Sequence, residues 1–276
     1  MAYELAGQVA IVTGGGRGFG QAIAKGLAAA GAAVSVTART ASQLAETVAQ
    51  IEAAGGRAVA VPADVTVQAD VDRVVAETEA RLGPVDLLVN NAALSEPVGP
   101  LWEIDPDVWQ RTLDVNLMGA VRCAHAVMKG MVAPRRSRGG RIVNVSSGAG
   151  VFAGPYDSAY RVSKTALIRL TEIMALEGAP HGISVFTIHP GVLSTTMHHS
   201  ATKTEAGRKY LPHFAEMAER GASDPKLAAD CCVFLAAGTG DGLSGRYFSA
   251  TEDYAALARR AAEIREGNLQ VLRLAR

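Results

Sequence analysis

Apolar residues occur in short unbroken runs of strand length, separated by longer stretches in which they recur at helical spacing. The runs predict strands at Val9–Thr13, Ala33–Thr37, Ala58–Pro62, Asp86–Asn90, Arg141–Ser146, Ile183–His189 and Arg246–Ser249. Helical spacing predicts helices near Gly18–Ala30, Ala41–Ala54, Gln68–Leu82, Asp105–Met131, Ser158–Ala179 and Lys226–Ala236. Most strand runs are continuous rather than alternating, as in strands covered by helices on both faces. With right-handed crossovers, this order gives an α/β fold: a doubly wound Rossmann sheet of about seven parallel strands with helices on both faces. No Pro/Gly/Ser-rich linker or internal repeat divides the chain, so residues 1–276 read as one domain.

Three stretches depart from the alternation. Ala133–Gly140 is a basic, glycine-rich loop ahead of the fifth strand, read as solvated surface. Residues 192–224 form an insertion long enough for one or two helices, and insertions after a strand's carboxyl end border the ligand crevice of such sheets. It is a candidate substrate lid. The tail, residues 252–276, looks helical, with Tyr254, Leu257, Ala261 and Ile264 on one stripe. It could pack on its own subunit, at a subunit interface or over the pocket.

Composition narrows the class. Among 276 residues, 27 Lys and Arg balance 27 Asp and Glu, which argues against nucleic-acid binding by a basic face. The 49% hydrophobic content excludes disorder. The longest charge-free stretch, Gly182–Thr202, carries Pro190, two glycines and three histidines and cannot be a membrane helix. The opening Met-Ala-Tyr-Glu has no basic n-region, so no secretory leader is expected. Cys123, Cys231 and Cys232 make neither a disulfide framework nor a metal spacing, and they read as buried thiols in a cytoplasmic protein.

The first strand runs into Gly14-Gly15-Gly16-Arg17-Gly18-Phe19-Gly20 and then a helix. Glycines there let the backbone approach a pyrophosphate, held by the free N–H groups and positive dipole end of the helix. Sites for NAD usually place an acidic residue at the end of the second strand to bind ribose hydroxyls. That strand ends Thr37-Ala38-Arg39-Thr40, and no acidic residue occurs between Glu4 and Glu46. Arg39 and Arg17 instead suit a 2′-phosphate, which points to NADP(H). Their alternative role is as solvated surface charges. Asp64, before Val65, could accept the adenine amino group or cap a helix; Asn90-Asn91-Ala92-Ala93 could line the crevice or form a turn.

The chemistry-bearing set is Ser147, Tyr160 and Lys164. Tyr160 and Lys164 are four apart on a predicted helix and share a face. A neighbouring ammonium is expected to draw the phenol's pKa down from ~10 and make it a usable proton donor. Ser147 would hold a substrate oxygen beside the phenol. Asn116, inside the long helix Asp105–Met131, marks a kink or a held water.

These residues resemble the short-chain dehydrogenase/reductase family over about residues 7–249. Its Thr-Gly-x-x-x-Gly-x-Gly falls on Thr13–Gly20, its Asn-Asn-Ala-(Gly/Ala) on Asn90–Ala93 and its Tyr-x-x-x-Lys on Tyr160–Lys164. Its catalytic Asn and Ser fall on Asn116 and Ser147, and its Pro-Gly-x-x-x-Thr on Pro190, Gly191 and Thr195. The resemblance implies Tyr160 as general acid in reduction and Lys164 also on the nicotinamide ribose. It implies that Ser147 orients the carbonyl and Asn116 keeps a proton-relay water, with the Val192 backbone and Thr195 on the carboxamide. Basic residues at Arg17 and Arg39 match the NADP-selecting positions. The departure is at the C-terminus, where the usual Asp-Gly-Gly strand end is replaced by Tyr247-Phe248-Ser249-Ala250-Thr251 and the chain continues.

Leu94, Gly148, Phe152, Tyr156, Leu193, Met197 and His198 are expected to line the substrate space, with Ser147. The set has no Arg or Lys aimed at a carboxylate or phosphate, so a neutral, fairly hydrophobic ketone, aldehyde or alcohol is expected. His198-His199 lacks a third ligand and no metal site is expected. An NADPH-dependent carbonyl reductase is the leading expectation, acting as a homo-oligomer, dimer or tetramer. The alternatives are an alcohol dehydrogenase working oxidatively with NAD(P) and a noncatalytic NADP-binding protein.

Overall fold

The computed structural model describes residues 3–133, 139–192, 204–212 and 223–274. Seven parallel strands form one sheet in the order β3-β2-β1-β4-β5-β6-β7, with β1 at Val9–Thr13, β2 at Ala33–Thr37 and β3 at Arg57–Ala60. The second half comprises β4 (Leu87–Asn90), β5 (Arg141–Val145), β6 (Ser184–His189) and β7 (Tyr247–Ser249). All seven predicted strands are present, with ends that move by one or two residues. The order reverses between β1 and β4, which opens a crevice at the strands' carboxyl ends.

Helices α1 (Gly18–Ala29), α2 (Ala41–Ala53) and α3 (Gln68–Leu82) follow the first three strands. Ala10, Val12, Val143 and Val145 face a core made with Ile23 and Leu27 of α1 and Leu44 and Ile51 of α2. Ile11, Leu88 and Ile142 face the opposite way, onto Val71 and Val74 of α3. Successive side chains of a strand thus enter different cores, which is why the runs are apolar throughout.

The long helix expected over Asp105–Met131 is three pieces. α4 (Pro106–Leu113) starts on an Asp105 cap, whose carboxylate accepts from the Asp107 N–H at 2.8 Å. A single π-helical turn follows at Asp114–Met118, in which the Gly119 N–H reaches back five residues to the Asp114 carbonyl. α5 (Gly119–Met131) completes the run. Asn116 sits in the wide turn, so the disruption it suggested is a π-bulge.

α6 (Ser158–Gly178) crosses behind β5 and β6. Of residues 192–224, the described part contains one helix, α7 (Glu205–Tyr210), capped by Thr204. α8 (Pro225–Ala236) begins one residue earlier than predicted, with Asp224 as cap and Pro225 at the first helical position. It lies close against α1, where a Cβ on Gly26 would come within 2.8 Å of Ala229. Pro134–Arg138 of the basic loop lie outside the described residues.

The tail is only partly helical. α9 (Tyr254–Arg259) and α10 (Ala261–Glu266) are separated at Arg260, and beyond Gly267 the chain is irregular. The expected stripe does face the core: Ala261 and Ile264 are buried, with Tyr254 and Leu257 packed beside them. The final stretch runs along β7, where the Tyr247 N–H donates to the Gln270 carbonyl at 2.9 Å. Among the described residues no helix is long and apolar enough to cross a membrane.

Candidate active site

A single cleft of about 2010 Å³ runs across the carboxyl ends of the strands. At one end β1 turns into the glycine loop. Gly14 and Gly18 have φ of +65° and +57°, the left-handed region that glycine enters without cost. Gly20 has no room for a side chain, since a Cβ would lie 2.2 Å from the Gly14 carbonyl oxygen. The loop is tied to the next strand end by Thr13, whose hydroxyl accepts from the N–H groups of Asn91 and Ala92 at 2.9 and 3.0 Å. The Asn91 amide donates to the Thr13 carbonyl at 2.9 Å.

α1 has neither a side-chain cap nor an acidic residue in its first turn. Its leading N–H groups face the cleft over a loop too tight for side chains, which fits a pyrophosphate. Gly14, Gly16, Arg17, Gly18, Phe19, Arg39, Thr40, Asp64, Val65, Asn91, Ala92 and Ala93 all line this end. Arg17 and Arg39 are exposed, and neither is paired with a described residue. Asp64 spends one carboxylate oxygen on Thr66, accepting from its N–H at 2.9 Å and its hydroxyl at 2.7 Å. It therefore shapes the turn into α3 while also lining the cleft.

At the other end, β5, α6 and the π turn converge. The Ser147 hydroxyl accepts from the Ala149 N–H at 3.2 Å. Lys164 is buried, its ammonium donating to the Val145 carbonyl at 2.8 Å and lying 5.6 Å from the centre of the Tyr160 ring. Burial without a counter-charge lowers the Lys164 pKa to about 8. Burial raises the Tyr160 phenol, and the Ser147 hydroxyl pulls it partly back. The expected downward pull of the ammonium is therefore not what sets the phenol: desolvation outweighs it, and Lys164 spends a hydrogen bond on backbone.

The Asn116 amide is committed to protein. Its oxygen accepts from the Leu94 N–H at 2.7 Å, and its nitrogen donates to the Leu94 carbonyl at 2.8 Å and the Ser163 hydroxyl at 2.9 Å. Ser163 in turn donates to the Tyr160 carbonyl at 2.7 Å. Asn116 thus clasps the loop after β4 to the helix that carries Tyr160.

Leu94, Gly148, Phe152, Pro190, Gly191 and Val192 line this end. Tyr156, expected to touch substrate, is not among the lining residues; its backbone is left-handed and its ring lies on Tyr210 of α7. Leu193, Thr195, Met197 and His198 lie outside the described residues.

Residues 8–206 match the family model for short chain dehydrogenase. A short chain dehydrogenase of Pseudocercospora fijiensis is 32% identical over 257 residues, covering 91% of this chain and 82% of its own. A Sinorhizobium meliloti protein assigned as a short-chain alcohol dehydrogenase superposes with a TM-score of 0.80 at 36% identity, over 93% of this chain and 99% of its own. The chain belongs to the short-chain dehydrogenase/reductase family. It is an oxidoreductase of alcohol and carbonyl groups. Solved relatives hold either dinucleotide. A Burkholderia cenocepacia gluconate 5-dehydrogenase carries NADP and tartrate (TM-score 0.78, 30% identity, 90% of this chain and 95% of that one), whereas a xylitol dehydrogenase carries NAD+.

Sequence reasoning passed over several residues in this dehydrogenase's site. Ser163, inside the Tyr-x-x-x-Lys segment, was signalled only by its place beside Lys164. Arg161 lines the cleft, pairs with Asp157 and donates to the Phe152 carbonyl at 2.9 Å. Leu211, just after α7, lines the cleft with 3% exposure, and no local pattern marked it.

Proposed function

We propose that this protein is an NADPH-dependent carbonyl reductase that converts a neutral, fairly hydrophobic ketone or aldehyde to the alcohol, reversibly. The observation that carries the reading is one cleft with Arg17 and Arg39, unpaired among the described residues, at the nucleotide end and Ser147, Tyr160 and Lys164 gathered at the other. With no carboxylate at the end of β2, the two guanidinium groups favour a 2′-phosphate over ribose hydroxyls.

When bound, the nicotinamide supplies hydride to the carbonyl carbon and accepts it in reverse. Ser147 donates a hydrogen bond to the carbonyl oxygen and holds it beside Tyr160. A phenol kept protonated by burial is a proton source, and Tyr160 delivers its proton to that oxygen as negative charge develops. Lys164 stabilises the phenolate left behind and offers its remaining N–H groups to ribose. Asn116 and Ser163 keep Tyr160 at the height of the Ser147 hydroxyl. Leu94, Phe152 and Leu211 supply apolar walls and favour uncharged substrates. Assembly as a homo-oligomer belongs to the same reading.

Purified protein with NADPH and a panel of aldehydes, aryl ketones, steroids and quinones tests it. Turnover of a carbonyl that disappears in Tyr160→Phe is expected. Cofactor binding without turnover of any panel member would overturn the reading in favour of a noncatalytic NADP-binding protein.

A further inference from the structure

Three separate segments meet at the substrate rim, and Tyr210 joins them. Its ring lies against that of Tyr156, with centroids 4.9 Å apart and planes tilted by 36°. Its hydroxyl donates to Glu103 Oε2 at 2.9 Å. The Lys209 ammonium sits 4.6 Å from the same ring. Glu103 belongs to the loop after β4, Tyr156 to the loop ahead of α6, and Tyr210 to α7.

Tyr156 is held in place from behind. Its φ of +73° is rare for a bulky side chain, and its carbonyl accepts from the Gly99 N–H at 2.7 Å. A strained backbone persists where its surroundings over-determine it. Here it turns the ring out of the cleft and onto α7, four residues ahead of Tyr160. The next residue after Tyr210 is Leu211, which is buried and lines the cleft. The wall that Leu211 provides is therefore fixed by what Tyr210 touches.

We infer that Tyr210, stacked on Tyr156 and hydrogen-bonded to Glu103, is a positioning residue that holds α7 and Leu211 as the apolar wall of the substrate pocket, and so sets selectivity for substrates with an apolar body. The inference rests on the carbonyl-reductase reading. Tyr210 itself does not line the cleft, whereas Leu211 does, so its effect falls on substrate affinity.

The test compares Tyr210→Ala, Tyr210→Phe and Tyr156→Gly with wild type. Tyr156→Gly removes the ring while suiting the left-handed backbone, so it keeps the protein folded. Amide exchange over residues 204–212 reports whether α7 stays docked, and NADPH titration reports the nucleotide end. For Tyr210→Ala and Tyr156→Gly the expected result is loss of exchange protection in α7 and about a tenfold rise in KM for an apolar ketone. NADPH affinity stays within twofold, and Tyr210→Phe, which keeps the ring, falls between. Unchanged protection of α7 in Tyr210→Ala would overturn the inference, as would lost protection with an unchanged KM. If wild type turns over no carbonyl, the functional reading fails, while the exchange data still decide whether Tyr210 docks α7.

Discussion

The two ends of the cleft are built from different materials. The nucleotide end is backbone: the glycine loop, the free amides of α1, and Thr13 and Asn91 binding main-chain groups of adjacent segments. The substrate end is side chain: Phe152, Leu211 and the Tyr156–Tyr210–Glu103 junction, drawn from segments up to 107 residues apart. A backbone site recognises what every dinucleotide shares and tolerates little change. A side-chain site can be altered without disturbing the strands beneath it. The proposed catalytic group lies at the seam, with Tyr160 and Lys164 on the helix that Asn116 clasps to the loop after β4.

The largest effect is expected at that seam. Tyr160→Phe removes the transferable proton and leaves the ring, so turnover should fall by about 10³-fold, within the range for general acid catalysis. NADPH affinity should be nearly unchanged. Steady-state rates beside a binding titration check this, and a rate within tenfold of wild type would reassign the proton donor.

Two glycines break the comparison more directly. Gly20→Ala puts a methyl 2.2 Å from the Gly14 carbonyl oxygen, a backbone atom that cannot swing away, whereas a Cβ on Gly148 meets nothing within 4 Å. Gly20→Ala should weaken cofactor binding by roughly 100-fold or prevent folding, because a main-chain clash at the pyrophosphate loop cannot relax locally. Gly148→Ala should bind cofactor like wild type. Equal behaviour of the two variants in an NADPH titration would remove the distinction between the ends.

Arg39→Asp sharpens what the nucleotide end selects. Loss of a charge-assisted contact and gain of a repelling carboxylate should lower NADPH affinity by about 10- to 100-fold, with little loss for NADH. Equal losses for both cofactors would return Arg39 to the role of a solvated charge.

How much of this could be read from the chain follows the same division. The sheet was legible because every strand is buried on both faces, and the nucleotide end because glycine spacing records backbone geometry directly. Tyr160 and Lys164 were legible because four residues is one helical turn. The π turn was not, because widening one turn of a helix leaves the apolar spacing on either side nearly intact; Asn116 was its single mark. The break at Arg260 was hidden for a similar reason: Tyr254, Leu257, Ala261 and Ile264 keep helical spacing across it, since both short helices pack on one core. Tyr156 and Tyr210 are 54 residues apart, and no local pattern pairs them. The sign of the Tyr160 shift depends on how deeply the phenol is buried, which a spacing argument does not contain.

The tail offers a smaller test of the substrate side. Glu172 on α6, 9% exposed at its side chain, accepts from the Leu272 N–H at 2.9 Å and from Arg273 at 3.2 Å and pairs with Arg169, which donates to the Leu272 carbonyl at 2.7 Å. The arginines are half exposed, so the cluster is worth less than a fully buried one. Glu172→Ala should cost about 1–2 kcal/mol, a melting temperature lower by roughly 3–6 °C, with amide protection lost at Leu272 and turnover within twofold. An unchanged melting temperature would mean the tail is held by α9, α10 and its hydrogen bond to β7 without the Glu172 cluster.

A pH dependence from Lys164 differs in kind, because it changes across a window instead of adding a fixed offset. Its pKa is lowered by burial to about 8 in the folded protein, against 10.5 for an unperturbed lysine. Below pH 8 both states carry the charge, and the folded state bears the full cost of burying it. Between pH 8 and 10.5 the folded protein has shed a proton that the unfolded chain still binds, so stability from this group rises with pH across that window. Lys164→Met abolishes the titration. Losing the hydrogen bond to Val145 adds only a constant offset. The variant's stability relative to wild type should therefore be most favourable below pH 8 and decline steadily to pH 10.5, read as the difference in urea midpoint between the two proteins. A difference that stays flat across the window would show that burial does not lower the Lys164 pKa in the folded protein.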